Sequence, residues 1–252
     1  MTQQQLLEAS IDLANVPPEQ YIFQNENIWS VYITKAIGAP SRYTQLFELL
    51  KNASSNDQIH FFLSTPGGRI DTTAQLLALM EATEAETTAH VMSAVASAGT
   101  LIALACDNLS VAPFGFMMLH NASGGSGYDK INLAVQSVQN SQIWCENIMR
   151  AVYKNFLTEK ELDSLLENKD YYFNQLEILD RWENVLAARE AAQEEMEKEQ
   201  TEANNEAIEK AIMPAVEKLV TKLLNERLPK VQQSEQLELN LEDTSAGEEI
   251  HE

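Results

Sequence analysis

Four short stretches of this chain carry residue types able to do chemistry, and each stands where the local pattern changes. Ser64-Thr65-Pro66-Gly67-Gly68 breaks an apolar run and opens a helical one. Two glycines allow close backbone approach, and a helix N-terminus offers free N–H groups that favour negative charge. The turn can supply half of an oxyanion hole through the Gly68 N–H, or simply make a tight strand-to-helix connection. Ala96-Ser97-Ala98-Gly99 is a second such junction. Its small residues would let a carbonyl carbon reach the Ser97 hydroxyl, and the Ala98 N–H is a natural second donor; close packing and N-capping use the same pattern. Of the four histidines, His60 and His90 fall inside strand-like runs and His251 near the end of the chain. His120 alone ends an apolar run and precedes a glycine-rich stretch, where a ring can face a cleft. An acid is needed to orient such a ring, but among 38 acidic residues none stands out by spacing. Asp170 is distinctive only in opening the extended aromatic run Tyr171-Tyr172-Phe173.

The elements that would hold these residues alternate. Residues 28–34 read as a strand, Ser41 as the N-cap of a helix bearing Leu46, Leu49 and Leu50, and 58–63 as a strand buried on both faces. A helix over 71–84, a strand over 87–93, a compact helix over 97–106 and short strands over 108–113 and 114–119 follow. Such alternation predicts an α/β fold with a largely parallel, helix-covered sheet. Beyond the glycines, a helix spans about 129–156, Thr158-x-x-Glu161 is a capping box, and an extended segment begins at Asp170. Residues 1–26 are a polar, weakly patterned segment; 27–186 form the folded domain; 187–252 are an acidic tail, helical in part and otherwise disordered. Within the tail, 187–210 read as a solvated helix or linker, and Val216, Leu219, Val220, Leu223 and Leu224 restore one amphipathic segment that Pro229 closes.

Bulk properties narrow the function classes. With 252 residues and 44% hydrophobic content the chain can bury one substantial core. Its net charge of -21 argues against nucleic acid and against an anionic membrane as partners, since both call for clustered Lys and Arg. Two cysteines, Cys106 and Cys145, are too few for a disulfide framework or a Cys-ligated zinc site, so a reducing compartment is expected. No metal or other cofactor is expected. Neither a signal-peptide pattern nor a run near the roughly 20 apolar residues of a membrane span occurs, so the expected location is the cytoplasm of a bacterium or of an infected host cell.

Taken together, the four stretches resemble a known family. Ser64-Thr65-Pro66-Gly67-Gly68 is similar to the Ser-Pro-Gly-Gly element of the Clp protease proteolytic subunit, and Ala96-Ser97-Ala98-Gly99 to its nucleophile motif. Met117-Met118-Leu119-His120, followed by Gly124-Gly125, resembles its histidine strand and glycine loop, although Asn121-Ala122 stands where the family has Gln-Pro. Lys169-Asp170-Tyr171 falls at its catalytic aspartate. The resemblance covers residues 27–186. It implies a Clp/crotonase-type fold of repeated β-β-α units with a long handle helix that stacks rings. It implies serine-type endopeptidase activity, with Ser97 as nucleophile, His120 as base and then acid, Asp170 as orienting carboxylate, and Gly68 and Ala98 as oxyanion donors. An extended peptide or unfolded protein would lie against Gly67, Gly124 and Gly125. A homo-oligomeric ring is implied, with an ATP-driven (AAA+) unfoldase or a capsid or scaffold as candidate partner.

Three other readings stand beside general proteolysis. The tail suits a bacteriophage procapsid maturation protease of the same fold. A catalytically inactive ring or scaffold subunit would keep the fold alone. A crotonase-type acyl-CoA enzyme would use the glycine turn but has no need of the serine and histidine. In the tail, 216–228 suit docking on a partner, and Gln236-Leu237-Glu238-Leu239-Asn240-Leu241 loosely resembles a sliding-clamp-binding peptide.

Overall fold

Strand and helix alternate in the structure, a computed structural model that describes residues 20–123 and 131–245. The elements are β1 (Gln20–Asn25), β2 (Ile28–Ile33), α1 (Thr44–Asn52), β3 (Gln58–Thr65), α2 (Ile70–Ala82), β4 (Glu86–Ala96), α3 (Ala98–Ala105), β5 (Asn108–Val111), β6 (Phe116–Leu119), α4 (Ile131–Tyr153), α5 (Glu159–Leu166), β7 (Tyr171–Asn174) and α6 (Gln175–Ser245). One seven-stranded sheet runs β1-β2-β3-β4-β6-β7, with β5 also paired to β4. The β2–β3, β3–β4, β4–β5 and β4–β6 pairs are parallel; β1 and β7 are antiparallel additions at the two edges. This is the α/β architecture expected of the Clp/crotonase class.

Side-chain alternation explains why the sheet is covered. Val31, Ile33, Ile59, Phe61, Leu63, Ala89 and Val91 are fully buried, whereas their neighbours Tyr32, His60, Phe62 and His90 are half-buried. Strand β3 is therefore sealed on one face only, not on both as its apolar run suggested: Phe62 spends its ring on the outer face, stacked between Tyr32 and His90. On that face His60 and His90 also meet nitrogen to nitrogen at 2.9 Å. Ser41 does not cap α1. It lies in a 3-10 turn, and its carbonyl accepts the Thr44 hydroxyl. Strand β1 lies in the stretch that reads as unpatterned, and pairs along its whole length with β2.

Strand β4 is long because it has two successive partners on one side. Its first half, Thr88 to Val91, pairs with β5, and Ala94 to Ala96 pair with β6. The turn between β5 and β6 tucks against β4 through Gly115, where an added Cβ would lie 2.7 Å from the Val91 carbonyl oxygen. A side chain there has no room.

The far edge is locked by one arginine. Thr158 and Glu161 form the reciprocal capping box the sequence predicts. Arg181 grips both oxygens of the Glu161 carboxylate at 2.7 and 2.9 Å, donates to the Phe156 carbonyl at 3.0 Å, and lies over the Phe173 ring at 4.4 Å. One guanidinium thus ties α5, β7 and the start of α6 together, and a bidentate pair is the stronger kind of ionic contact.

The chain divides into two compact units at Arg189/Glu190. In the first, α6 contributes Ile178, Trp182 and Val185 to the core. In the second, residues 190–224 are helical and exposed throughout. The stretch 187–210 is a solvated helix rather than a disordered linker, and the helix passes Pro229 to end at Ser245. That proline does not close the segment; like Pro214, it stands inside the helix. No helix among the described residues is long and apolar enough to cross a membrane.

The Glu161–Arg181 pair makes stability depend on pH. Its hydrogen bonds from Arg181 hold the Glu161 carboxyl at about 2, below its ordinary 4.5. The stabilisation is fully present above pH 4.5 and is lost as pH falls toward 2. Glu161→Gln should cost about 1.5–3 kcal/mol at pH 7, the scale of a hydrogen bond to a charged group. In urea titrations the gap from the wild type should close as pH drops through that window.

Candidate active site

The two glycine-rich turns of the sequence meet in space. Strand β3 ends at Thr65, whose buried hydroxyl donates to the Lys35 carbonyl at 2.7 Å and accepts the Gly67 N–H at 3.1 Å. That pins the turn before α2 begins. Gly67 has φ +87°, and a Cβ on it would lie 2.6 Å from the Ala96 oxygen, 2.7 Å from the Ser97 Cβ and 2.8 Å from the Ala98 nitrogen. Glycine is required there twice over, for its backbone angle and for lack of space.

Gly68 forms a parallel bridge with Ile37: the Gly67 carbonyl accepts the Ile37 N–H at 2.8 Å, and the Arg69 N–H donates to the Ile37 carbonyl at 2.9 Å. In that pattern the N–H of the bridged residue itself faces away from the partner strand. The Gly68 N–H is therefore turned away from Ile37.

Ser97 occupies the turn from β4 into α3 with φ 53° and ψ -127°, a conformation that L-residues rarely adopt and that costs about 1–3 kcal/mol. Backbone bonds on both sides hold it. Its N–H donates to the Met118 carbonyl at 2.8 Å, and its carbonyl accepts the Thr100 N–H at 2.9 Å and the Thr100 hydroxyl at 2.7 Å. Thr100 is in turn bonded to the buried Tyr153 hydroxyl at 2.7 Å, which fixes the start of α3 to α4. Although Ser97 is the N-cap of α3, its hydroxyl makes no capping bond. The capping reading of this serine therefore fails, and the residue is half-buried. Ala98 is the first residue of the helix, a position whose N–H has no intrahelical acceptor.

Strand register gathers the remaining residues. Ala96 pairs with Met118 in the parallel β4–β6 ladder, so Ser97 and His120 leave neighbouring strands at the same end. Leu119 pairs with Tyr171 in the antiparallel β6–β7 ladder. Continued by one residue, that register sets His120 opposite Asp170, at the few-ångström spacing of adjacent strands. A side-chain clamp outside both strands reinforces it: the Asn121 amide donates to the Leu166 carbonyl at 2.8 Å and to the Asn168 side chain at 3.0 Å. Asn168 itself sits at φ 72°, completing the turn from α5 into β7.

His120 is half-buried and Asp170 exposed. Among the described residues no hydrogen bond joins Ser97, His120 and Asp170 to one another. Catalytic hydrogen bonds are often long without substrate and tighten when it binds. Gly124 and Gly125 lie outside the described residues.

Several supporting residues were not singled out from the sequence. Thr65, Thr100, Tyr153, Asn121 and Asn168 act through hydrogen bonds between distant positions. Asn168 carried a local signal, since an asparagine after a helix end tolerates a left-handed backbone. Arg189 is another: it donates to the Leu104 and Cys106 carbonyls at 2.9 and 2.8 Å, closing the C-terminal end of α3, and rests on Trp182 at 5.0 Å. A cation at a helix C-terminus is favoured by the helix dipole.

A comparison with curated proteins finds no match. The family model described as Clp protease matches residues 30–181. That span takes in the Gly67 turn, the β4–α3 junction, His120 just after β6 and Asp170 just before β7, and more than half of the sequence. The chain belongs to the Clp protease family.

Proposed function

We propose that the protein is a serine endopeptidase in which Ser97, His120 and Asp170 form the triad and the N–H groups of Gly68 and Ala98 form the oxyanion hole. The observation that carries this reading is the convergence of two parallel strand ends and one antiparallel strand start on the packed pair of glycine-rich turns. Ser97 Oγ attacks the scissile carbonyl while His120 takes its proton; His120 then returns the proton to the leaving amine. Asp170 orients the ring and stabilises its cationic form. As the carbonyl becomes tetrahedral its oxygen gains charge and accepts hydrogen bonds donated by the two N–H groups, without rearrangement because both turns are already fixed. Water then repeats the sequence on the acyl-enzyme. Substrate held extended by backbone hydrogen bonds would suit broad sequence tolerance, and no cofactor is needed.

Members of this family are peptidases that typically assemble into rings. A homo-oligomeric ring fed by an unfoldase is the corresponding arrangement for this chain. The long helix that runs on to Ser245, exposed over residues 190–224, supports a second reading, in which the same chemistry matures a procapsid and the tail holds the enzyme to a scaffold or shell.

A fluorophosphonate probe should label the wild type at Ser97 and leave Ser97→Ala unlabelled. Peptide hydrolysis should fall by about three orders of magnitude or more in Ser97→Ala and in His120→Ala. A folded wild-type chain that neither reacts with the probe nor cleaves unfolded protein would instead mark an inactive ring or scaffold subunit.

Gly67→Ala tests the packed turns separately. The added methyl must displace the Ser97 turn, so activity should drop about a hundredfold, the scale expected from a misplacement near 1 Å. Gly115→Ala, whose methyl would meet Val91 and Ala112 rather than Ser97, should lower thermal stability with a much smaller loss of turnover.

A further inference from the structure

Past Arg189 the helix carries an apolar stripe on an otherwise charged rod. Ile208, Ile212, Met213, Val216, Leu219, Val220 and Leu224 are each 43–58% exposed, with no described residue covering them. Their order along the chain is nearly a mirror image about Val216. Ile208 reflects onto Leu224, Ile212 onto Val220 and Met213 onto Leu219; Leu223 alone meets a charged counterpart, Glu209. A stripe with this symmetry matches a copy of itself running the opposite way, because a two-fold axis at Val216 sets apolar against apolar over about 24 Å of helix.

Charge selects the same partner and direction. Glu202, Glu206 and Glu209 precede the centre, while Lys218 and Lys222, with Arg227 and Lys230 beyond them in sequence, follow it. Lys210, Glu217 and Glu226 reduce this polarity without reversing it. In an antiparallel pair the acidic half of each helix lies beside the basic half of the other; in a parallel pair like halves meet. Acidic residues dominate both flanks, Glu190 to Glu202 before and Glu235 to Glu252 after, which opposes an anionic lipid surface as the occupant.

We propose that the stripe centred on Val216 is a self-association surface that joins two copies of this chain through an antiparallel helix pair. The inference is independent of the peptidase reading, since it uses no residue before Glu190.

Directed disulfide formation in the full-length chain tests it. Glu209→Cys and Leu223→Cys chains, mixed and oxidised, should give a covalent heterodimer, and Glu209→Cys alone should give little, because its copies would stand about 21 Å apart along the axis. The unsubstituted chain is the control for Cys106 and Cys145, both buried. Adding Leu219→Asp to both chains should cut the heterodimer yield about tenfold or more, the effect of losing one buried leucine, while leaving probe labelling of Ser97 unchanged. Efficient homodimers of Glu209→Cys would show a parallel pair, and no heterodimer above the control would show no pair; either result overturns the proposal. Ser97 labelling in the same samples reports the peptidase reading separately.

Discussion

The candidate site depends on a contact with no side chain on one of its two sides: the Gly67 turn packs directly against the Ala96 oxygen, the Ser97 Cβ and the Ala98 nitrogen. Neither turn is stable in its observed form by local preference. Gly67 and Ser97 both have positive φ, and in a serine that conformation must be imposed by its surroundings. The imposing groups are Met118, which takes the Ser97 N–H, and Thr100, which binds the Ser97 carbonyl and is itself held by Tyr153. Strain at one residue is thus supported by a strand, a helix turn and a buried hydroxyl pair, an arrangement suited to a group that must already be in place when substrate arrives.

How that contact is joined to the histidine follows from β4. A strand that kept one partner along its length would leave no room on its far half for β6. Because β5 stops at Val111 and the chain turns at Gly115, β6 enters beside Ala94 to Ala96 and delivers its C-terminal end next to Ser97. The antiparallel β7 then returns along β6. Two ladders and the Asn121 clamp therefore bracket the stretch in which His120 follows β6 and Asp170 precedes β7.

Much of this was legible in the sequence, and the limits have physical causes. The α/β alternation, the capping box at Thr158 and the two glycine turns are local signals and read correctly. Strand β1 was missed because its six residues lie in polar surroundings and make sense only beside β2. Strand β3 looked buried on both sides because an aromatic run such as His60-Phe61-Phe62 has the same composition whether its outer ring meets a helix or a neighbouring ring. The stop at Pro229 was a propensity argument that a long solvated helix overrides. The proposed acid was the least visible group: among 38 acidic residues Asp170 is set apart only by the aromatic run it opens and by its place just before β7.

Arg189 shows where the first unit ends in energetic terms. The family match stops at residue 181, yet Trp182 and Val185 fill the core and Arg189 closes the helix that Ser97 opens. A fragment trimmed to the matched span would expose apolar surface and leave the Leu104 and Cys106 carbonyls without their cation, at the opposite end of the same eight-residue helix from the serine. The smallest autonomous body is therefore longer than the recognisable motif, and its last turns belong to the helix that continues into the tail.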